Sequence, residues 1–564
     1  TLAPVLMTLL IRGKILPEEK NPLNRFLIWV YEPILHFVLR WKKAILILAL
    51  LVMAATIPVF LKLGSEFMPP LYEGSLLYMP TTLPGASIAT ANQIMQVQDK
   101  IIKSFPEVES VFGKAGRANS ATDPAPLEMI ETIINLKPEK YWRPGMTPEK
   151  LISELDQAVK MPGVSNAWTM PIKARIDMLS TGIRTPVGIK VLGPKLEEIQ
   201  RIGEHLEMVL KDVPGTRNIF AERVTGGYYL DFNIRRDEIA RYGLTVEEVE
   251  AVLETAIGGM TVTTTVEGRE RFSVNVRYYR DFRSDLGPLK RVLVSTMSGA
   301  QIPLGQLVDL KLSSGTTLVR SEEGELAGYV FIDVTGRDIG SFVKDLKRVV
   351  AEKVQVPAGY HLVWSGQYEY MERAGERLKI VIPLTLLIVF ILLFFNTAHV
   401  GKVFIVLLAV PFSLIGAFWL IYLLGYNMSV AVWVGIIALA GVDAETGVIM
   451  LLYLDHAYEK WRGQGRMRNM ADLQEAISEG AVKRVRPKMM TVMAIIMGLL
   501  PIMWSHGAGA DVMKRIAAPM IGGIVTSFML ELVIYPVIYE IWRGRAIRKA
   551  EKAETEKVEP IVGE

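Results

Sequence analysis

Long uncharged apolar stretches along this chain are separated by regions in which apolar and charged residues are mixed. A helix needs about 20 mainly apolar residues to cross a bilayer, so each long stretch predicts a membrane span. Residues 1–10 have the composition of the end of a further span that is cut off. The six complete predicted spans are 44–63, 380–400, 403–424, 429–455, 488–507 and 516–541. The pattern therefore predicts a helical membrane protein with one large water-exposed region after the first span.

Lys and Arg residues cluster in the segments 11–43, 457–487 and 543–564, and none lies in the short turn near residue 425. Cytoplasmic segments of membrane proteins carry an excess of Lys and Arg, so these three segments are predicted to be cytoplasmic. Within the first of these segments, residues 21–41 are apolar and aromatic, so 11–43 is predicted to be an amphipathic segment that lies along the inner membrane face. The predicted membrane regions are 44–64 (one helix), 378–456 (three helices) and 488–542 (two helices).

The region between the first two spans is predicted to lie outside, in the periplasm, and to contain alternating strands and amphipathic helices. Ser75–Met79 and Ile130–Leu136 have strand composition, and Thr245 with Glu248 forms a capping box at the start of a helix. Paired α+β units of this kind are typical of ferredoxin-like folds. The predicted subdomains are 65–182, 183–221 together with 323–370, and an inserted, docking-type module at 222–322.

Composition excludes several classes of function for this chain of 564 residues. Lys and Arg exceed Asp and Glu by only 63 − 59 = 4, which is too balanced for a nucleic-acid partner. The chain has no Cys, and its six His are scattered, so a thiolate or clustered-imidazole metal site is not predicted. A phosphate-binding GK[ST] loop is missing, so ATP hydrolysis is not predicted. We therefore predict no bound cofactor.

Three methionines of the external region, Met79, Met129 and Met178, follow one another at intervals of 50 and 49 residues. Thioether sulfur is a soft ligand that selects Cu(I), and Ag(I) follows by the same chemistry. Methionine also fills apolar cores, and the chain contains 26 of them. Their spacing alone therefore leaves a metal site and core packing as alternatives.

Two acids, Asp443 and Glu445, interrupt an otherwise apolar predicted span. Acids inside a span are costly, which makes them candidates for function. Residues two apart on a helix point about 200° away from each other, so these two are not expected to share a face. Lys488 begins the next predicted span, where an alternative is a lysine that extends to the membrane surface. Glu531 lies in the last span, and the sequence assigns it no role.

Four short motifs resemble the heavy-metal subfamily of resistance-nodulation-division (RND) exporters, and in particular its copper/silver pumps (the CusA/SilA type). They are Ala125–Met129, Trp142–Met146, Arg175–Gly182 and Arg484–Lys488. The resemblance covers essentially the whole chain, which corresponds to the C-terminal half of such a pump. It implies the RND fold, with six transmembrane helices and ferredoxin-like porter subdomains.

The resemblance also implies the activity and the partners. It implies a secondary active transporter, not an enzyme, that exports Cu(I) or Ag(I) from periplasm or cytoplasm by proton antiport. The pump would be a homotrimer in the inner membrane of a Gram-negative bacterium, in contact with membrane lipid. A periplasmic adaptor protein and an outer-membrane channel would complete a tripartite complex.

The functional residues of the family match particular positions of this chain. The resemblance implies a three-methionine site at Met79, Met129 and Met178, and a proton relay that includes Glu445 and Lys488. Asp443 replaces a small apolar residue of the copper pumps, so it is either a further relay acid or a group paired with a polar neighbour. Arg184 stands where a lysine is more usual. A methionine relay is implied at Met7, Met260 and Met513, and cleft-lining charges at Glu73, Asp123, Glu131 and Arg175.

Three other functions remain as alternatives at this stage. An exporter of divalent Zn, Co or Ni predicts His, Asp or Glu ligands near the cleft. An exporter of drugs or lipids predicts an aromatic-lined cleft. An RND-like structural or assembly protein predicts that the methionines only pack the core.

Overall fold

The computed structural model describes residues 21–69, 71–117, 125–316, 318–507 and 509–558. The predicted span end at 1–10, and the predicted site residues Met7 and Asp123, therefore lie outside the described residues. The first helix of the described residues, α1 (Pro22–Arg40), is followed directly by the apolar helix α2 (Lys42–Lys62). Helix α1 is amphipathic: Leu35 is fully buried, while Trp29 is exposed. An amphipathic helix is able to lie in a membrane interface, and the interfacial position of this segment stays a prediction.

The first external subdomain is a four-stranded antiparallel sheet covered by helices. Its elements are β1 (Ser75–Tyr78), β2 (Thr81–Thr82), α3 (Ile88–Lys103), β3 (Val108–Ala115), β4 (Ile130–Leu136), α4 (Pro148–Ala158), β5 (Val164–Ser165), β6 (Trp168–Thr169) and α5 (Pro171–Thr181). The strand order is β3-β4-β1-β6, and β2 pairs separately with β5. With α3 and α4 as its crossovers, the sheet has the βαββαβ arrangement of a ferredoxin-like fold, as predicted.

The second external subdomain begins with β7 (Val187–Gly193), α6 (Leu196–Leu210) and β8 (Thr216–Ala221), and is then interrupted by the inserted module. The module has an apolar core of its own, which includes Val249, Val294 and Leu304. Its elements are β9 (Gly227–Ile234), α7 (Arg236–Arg241), α8 (Val246–Val252), β10 (Met260–Glu267), β11 (Glu270–Val276), α9 (Leu286–Lys290), β12 (Leu293–Ser295), β13 (Gln301–Pro303), α10 (Leu304–Leu307) and β14 (Val308–Gly315). The predicted capping box between Thr245 and Glu248 is present at α8.

The second subdomain is completed after the module by β15 (Arg320–Glu322), β16 (Glu325–Val334), α11 (Ile339–Lys353) and β17 (His361–Gly366). Strand β16 pairs with β7, β8 and β15, and β17 pairs with the other edge of β7. Helices α6 and α11 cover one face of this sheet, where Leu206, Val330 and Phe342 are buried together. The two external subdomains therefore repeat the same order of paired strands.

The membrane region contains six helices, within the described residues, that are long and apolar enough to cross a bilayer. The sequence predicts the same number, so this expectation is confirmed. After α2 they are α12 (Gln367–Thr397), α13 (Val400–Leu407) continued by α14 (Ala409–Leu423), α15 (Val430–Gly463), α16 (Met470–Met503) and α17 (Ala510–Val558).

The helices extend beyond the apolar stretches from which they were predicted. Most of the predicted loop 457–487 is helical, because α15 continues to Gly463 and α16 begins at Met470. A capping box between Asn469 and Asp472 starts α16, and the first turns of that helix bury Leu473 in the core. Hydropathy detects only the apolar part of a helix that crosses lipid. The helix ends predicted from it therefore fall short of the observed ends of α15 and α16.

Candidate functional site

Strand β1 separates a structural core from the candidate metal site. Successive side chains of a strand point to opposite faces of the sheet. Leu76 and Tyr78 accordingly pack in the core beneath α3 and α4. Leu77 and Met79, two positions apart, pack on the opposite face, where Met79 is fully buried. The alternation therefore directs Met79 away from the helices that stabilise the subdomain.

Helix α5 lies on the same side of the sheet and carries the third methionine. Ala174 and Met178 are four residues apart, so they share one helix face, and both join the cluster that contains Met79. The Glu73 carboxylate accepts hydrogen bonds from the backbone N–H groups of Ile172 (2.9 Å) and Lys173 (3.0 Å). These amides have no partner within the helix, and a carboxylate is favourable at a helix N-terminus. Glu73 therefore anchors the helix that positions Met178.

The three predicted metal ligands meet in one small cluster. Met79 and Met129 are buried in it, and Met178 is half-buried against it, with Ala125 and Ala167 as small neighbours. The fold brings together three residues that are 50 and 49 positions apart in the chain. In the part of the chain that the structure describes, no group of three His, Asp or Glu side chains is arranged to hold a metal. The donor set at this cluster is therefore soft.

A buried arginine contacts the cluster directly. The Arg184 Nη1 group donates a hydrogen bond to the Met129 sulfur at 3.0 Å, and Nη2 donates to Thr81 Oγ1 at 2.7 Å. The guanidinium carbon lies 4.0 Å from the centroid of the Phe331 ring, in a cation–π contact. Burial lowers the pKa of Arg184 to about 10, which still leaves the group charged at neutral pH. A positive charge therefore lies beside a predicted metal ligand.

Two pockets flank the methionine cluster. One, of about 160 Å³, is lined by Met178 together with Glu131 and Arg175, two of the predicted cleft residues. Glu131 also forms an ion pair with Lys114 at 3.1 Å. The other pocket, of about 50 Å³, is lined by Met129 and Arg184 among others. Met79 lines neither pocket, so the three sulfurs do not share one open cavity in this conformation.

The predicted methionine relay is not assembled around the cluster. Met260 is the first residue of β10 and is 44% exposed. Met513, in the first turn of α17, is 48% exposed. Exposed thioethers on separate elements do not form a site by themselves, so the relay stays a prediction.

The membrane acids lie on different sides of α15, as their spacing predicts. Asp443 is 1% exposed, and Ser413 and Ser527 lie beside its carboxylate. Glu445 is exposed on the other side of the helix. Within the described residues Asp443 thus has polar neighbours, which was one of the two interpretations of this position. The role of Glu445 in a relay stays a prediction.

Lys488 does not extend to the membrane surface, so that alternative is wrong. Its side chain is only 3% exposed, and its Nζ atom lies 2.7 Å from Glu531 Oε1, whose side chain is 1% exposed. The buried partner of the predicted relay lysine is therefore Glu531, and not Glu445. The sequence assigned Glu531 no role, although a carboxylate in an apolar span is by itself a signal of function. The sequence marked Arg184 only as a position where a lysine is more usual, and its contact with Met129 was not foreseen because it spans 55 positions of sequence.

Two external subdomains on a bundle of long apolar helices, with a buried acid–lysine cluster inside the bundle, define a transporter of the RND class. The chain belongs to the AcrB/AcrD/AcrF family, whose sequence model matches residues 1–543. This confirms the family expected from the motifs. It also confirms the predicted fold class.

Several relatives place the chain near the heavy-metal branch of this family. It is 48% identical to the cation efflux system proteins SilA of Salmonella typhimurium and CusA of Escherichia coli K12, over 96% of its own length. It is 32% identical to the cobalt-zinc-cadmium resistance protein CzcA of Cupriavidus metallidurans, over 100% of its length. The crystal structure of a heavy metal efflux pump superposes with a TM-score of 0.81 and 27% identity, covering 92% of this chain and 52% of the other. The chain spans about half the length of these relatives, with 52% coverage in each case.

Proposed function

We propose that this chain forms part of an inner-membrane pump that exports Cu(I) or Ag(I) in exchange for protons. The observation that supports the proposal most directly is the convergence of Met79, Met129 and Met178 on one buried cluster. Thioethers bind a soft monovalent ion without losing a proton, whereas thiols and imidazolium groups must be deprotonated first. The proposed assembly is a homotrimer that works with a periplasmic adaptor and an outer-membrane channel.

In the proposed cycle, metal enters the external cleft or reaches it along the methionine relay. The cluster binds the ion when α5 and its neighbours open the cleft that is closed in this conformation. Protonation of acids in α15 and α17 shifts the membrane helices, and this shift changes the cleft. Metal is then released towards the outer-membrane channel. No covalent bond of the cargo is broken, so the proposed protein is a transporter.

A divalent exporter is the second candidate function, because the similar protein CzcA is named for resistance to cobalt, zinc and cadmium. Cobalt and zinc ions prefer nitrogen and oxygen ligands to thioethers. Among the described residues, no cluster of His, Asp or Glu suits them. The donor chemistry therefore favours the monovalent ions.

A ligand-binding titration of the native full-length polypeptide distinguishes a monovalent-metal exporter from a divalent-metal exporter, a drug exporter and a structural protein. We expect Ag(I) to raise the melting temperature and to quench tryptophan fluorescence at micromolar concentrations, since binding to the folded state stabilises it. Zn(II) and a hydrophobic dye should produce neither change. A response to Zn(II) at the same concentration as Ag(I) would favour the divalent exporter. A response to the dye alone would favour a drug exporter, and no response to any of them would favour a structural role.

Arg184 is expected to weaken metal binding at Met129. Its guanidinium donates a hydrogen bond to the Met129 sulfur and so engages a lone pair that would bind the metal. Its positive charge also repels a bound cation. Two unit charges about 4 Å apart interact by on the order of 4 kcal/mol at an effective dielectric constant of about 20. We therefore expect Arg184→Gln to tighten Ag(I) binding by about tenfold or more, measured by competition with a chromogenic Ag(I) chelator.

Arg184→Lys is the matched control, because it keeps the charge and loses the planar guanidinium. This variant should bind Ag(I) with an affinity close to that of the unaltered protein. If Arg184→Gln instead bound Ag(I) more weakly, the arginine would serve to hold Met129 in place. The prediction that the guanidinium competes with the metal for the Met129 sulfur would then be wrong.

A further inference from the structure

The junction segment, Gly64–Phe67, follows α2 and is bonded to the turn between α14 and α15. Ser65 pairs with Met428 in a parallel β-bridge. The backbone hydrogen bonds around this bridge run from Met428 N–H to Gly64 O (2.8 Å), from Glu66 N–H to Met428 O (2.9 Å) and from Val430 N–H to Phe67 O (3.0 Å). Since α15 begins at Val430, these bonds join the end of α2 to the start of α15.

The junction segment is also bonded to the second external subdomain. Ser65 N–H donates to Asp338 Oδ2 at 2.9 Å, and Gly340 N–H donates to Ser65 O at 3.0 Å. Asp338 is the N-cap of α11, and the same carboxylate oxygen accepts a hydrogen bond from Ser341 N–H at 2.8 Å. Helix α11 buries Phe342 in the core of that subdomain. One carboxylate therefore joins the junction segment to a helix that is firmly packed in the subdomain.

One side chain of the junction segment reaches the last membrane helix. Glu66 Oε2 accepts a hydrogen bond from Asn427 Nδ2 at 3.0 Å, and Glu66 Oε1 lies 3.3 Å from Arg515 Nε on α17. Both side chains of this ion pair are 12% exposed, so solvent screens the pair only weakly. Asp511, one turn earlier on α17, lies 4.0 Å from the same guanidinium. The junction segment thus contacts α15 and α17, the helices that carry the buried acids of the membrane bundle.

Close packing leaves the junction segment little freedom to move without its partners. A Cβ atom on Gly64 would lie 2.4 Å from Asn427 Oδ1 and 2.8 Å from Asp338 Cβ, whereas real Cβ atoms keep at least 3.0 Å from their neighbours. The Asn427 side chain is able to turn aside, but the Asp338 Cβ is fixed to the backbone at the start of α11. Closely packed groups transmit a displacement because they have almost no free volume in which to absorb it.

The second external subdomain has another attachment to the membrane bundle, since β17 runs directly into α12. A body held at one point is free to rotate about it, whereas a body held at two points follows the relative movement of both. Phe331 of this subdomain packs on Arg184, whose guanidinium donates to the Met129 sulfur. A rotation of the subdomain therefore changes the contacts of the methionine cluster.

The junction segment joins the helices that carry the buried acids to the subdomain beside the methionine cluster. Coupling between distant sites is carried by packed side chains, hydrogen bonds and rigid elements of this kind. We propose that the junction segment transmits movement of α15 and α17 to the second external subdomain, with Asp338 and Glu66 as positioning residues. The role in transport rests on the proposed function, whereas the mechanical connection is measured without it.

Amide hydrogen exchange of the native full-length polypeptide tests the connection in the absence of metal. Asp338→Ala removes the carboxylate that accepts from the junction segment. Gly64→Ala forces the junction segment away from α11 and keeps every polar group. In both variants we expect exchange at residues 427–430 to become about tenfold faster or more, because a local opening of the junction exposes its other bonds. Unchanged exchange at 427–430 in both variants would overturn the inference.

Each junction variant has a matched control. Ser87→Ala removes the N-cap of α3 in the first external subdomain, so it reproduces the loss of a helix cap without touching the junction segment. Gly375→Ala adds a Cβ atom on α12 that meets nothing within 4 Å. Both controls should leave exchange at residues 427–430 unchanged.

Proton flux in proteoliposomes tests the role of the junction segment in transport. Asp338→Ala and Gly64→Ala should lower Ag(I)-driven proton flux by about tenfold or more, while Ag(I) still binds the external subdomains. Asp338→Asn should restore most of the flux, because asparagine keeps an acceptor oxygen and is an equally good N-cap. Intact flux in Asp338→Ala and Gly64→Ala, with flux present in the unaltered protein, would contradict the inference and leave the proposed function in place. If the unaltered protein shows no Ag(I)-driven flux, the proposed function fails, and the exchange measurement alone decides the inference.

Discussion

Replacing Met129 by isoleucine is expected to lower Ag(I) affinity by about 100-fold or more, because one of three thioether ligands is lost. Met79→Ile and Met178→Ile should have effects of the same size, since all three side chains contact one cluster. In cells, each substitution should abolish tolerance to Cu(I) and Ag(I). Isoleucine has nearly the same volume as methionine, so the cost to folding should stay below about 1.5 kcal/mol. The measurements are Ag(I) titration of the purified protein and growth on silver salts.

Met208→Ile provides the control for these three variants. Met208 lies on α6 in the second external subdomain and is 64% exposed, and it belongs to none of the buried apolar clusters of the described residues. This variant should bind silver and support growth as the unaltered protein does. Expression of each variant is compared by quantifying the purified protein. Unchanged metal tolerance in all three cluster variants, at equal expression, would show that the methionines only pack the core.

Glu445→Gln should stop metal-driven proton exchange while Ag(I) still binds the external subdomains. Glu445 is an acid within a membrane span, where a carboxylate is maintained at a cost and generally serves function. Its exposed position on α15 leaves the buried Asp443–Lys488–Glu531 cluster intact, so the substitution should not destabilise the bundle. The measurement is proton flux into proteoliposomes, together with Ag(I) titration of the same preparation.

Glu459→Gln is the matched substitution, because Glu459 is also exposed on α15, near the end of that helix. It should leave both proton flux and metal binding unchanged. Normal flux in Glu445→Gln would refute the relay role of Glu445.

Local sequence patterns predicted correctly those elements whose signal lies within one short stretch of the chain. In the first external subdomain, β1 and β4 both form where strand composition predicted them, and β4 alternates buried with less buried residues. The capping box at Thr245 is also local and was predicted correctly. The start of α16 was misplaced, because its first turns are polar on the outside and bury Leu473 only against other helices. Such contacts leave no signal in the hydropathy of one segment.

The sequence by itself determined which chemistry is present: thioethers without cysteine in the external region, and acids with a lysine in the spans. It also determined that Asp443 and Glu445 face apart, because the helical turn is a property of the backbone. Only the tertiary structure decided that Lys488 pairs with Glu531 and that Arg184 donates to Met129. These contacts join residues 43 and 55 positions apart. Such pairings depend on how whole helices and sheets pack, which no local pattern of residues specifies.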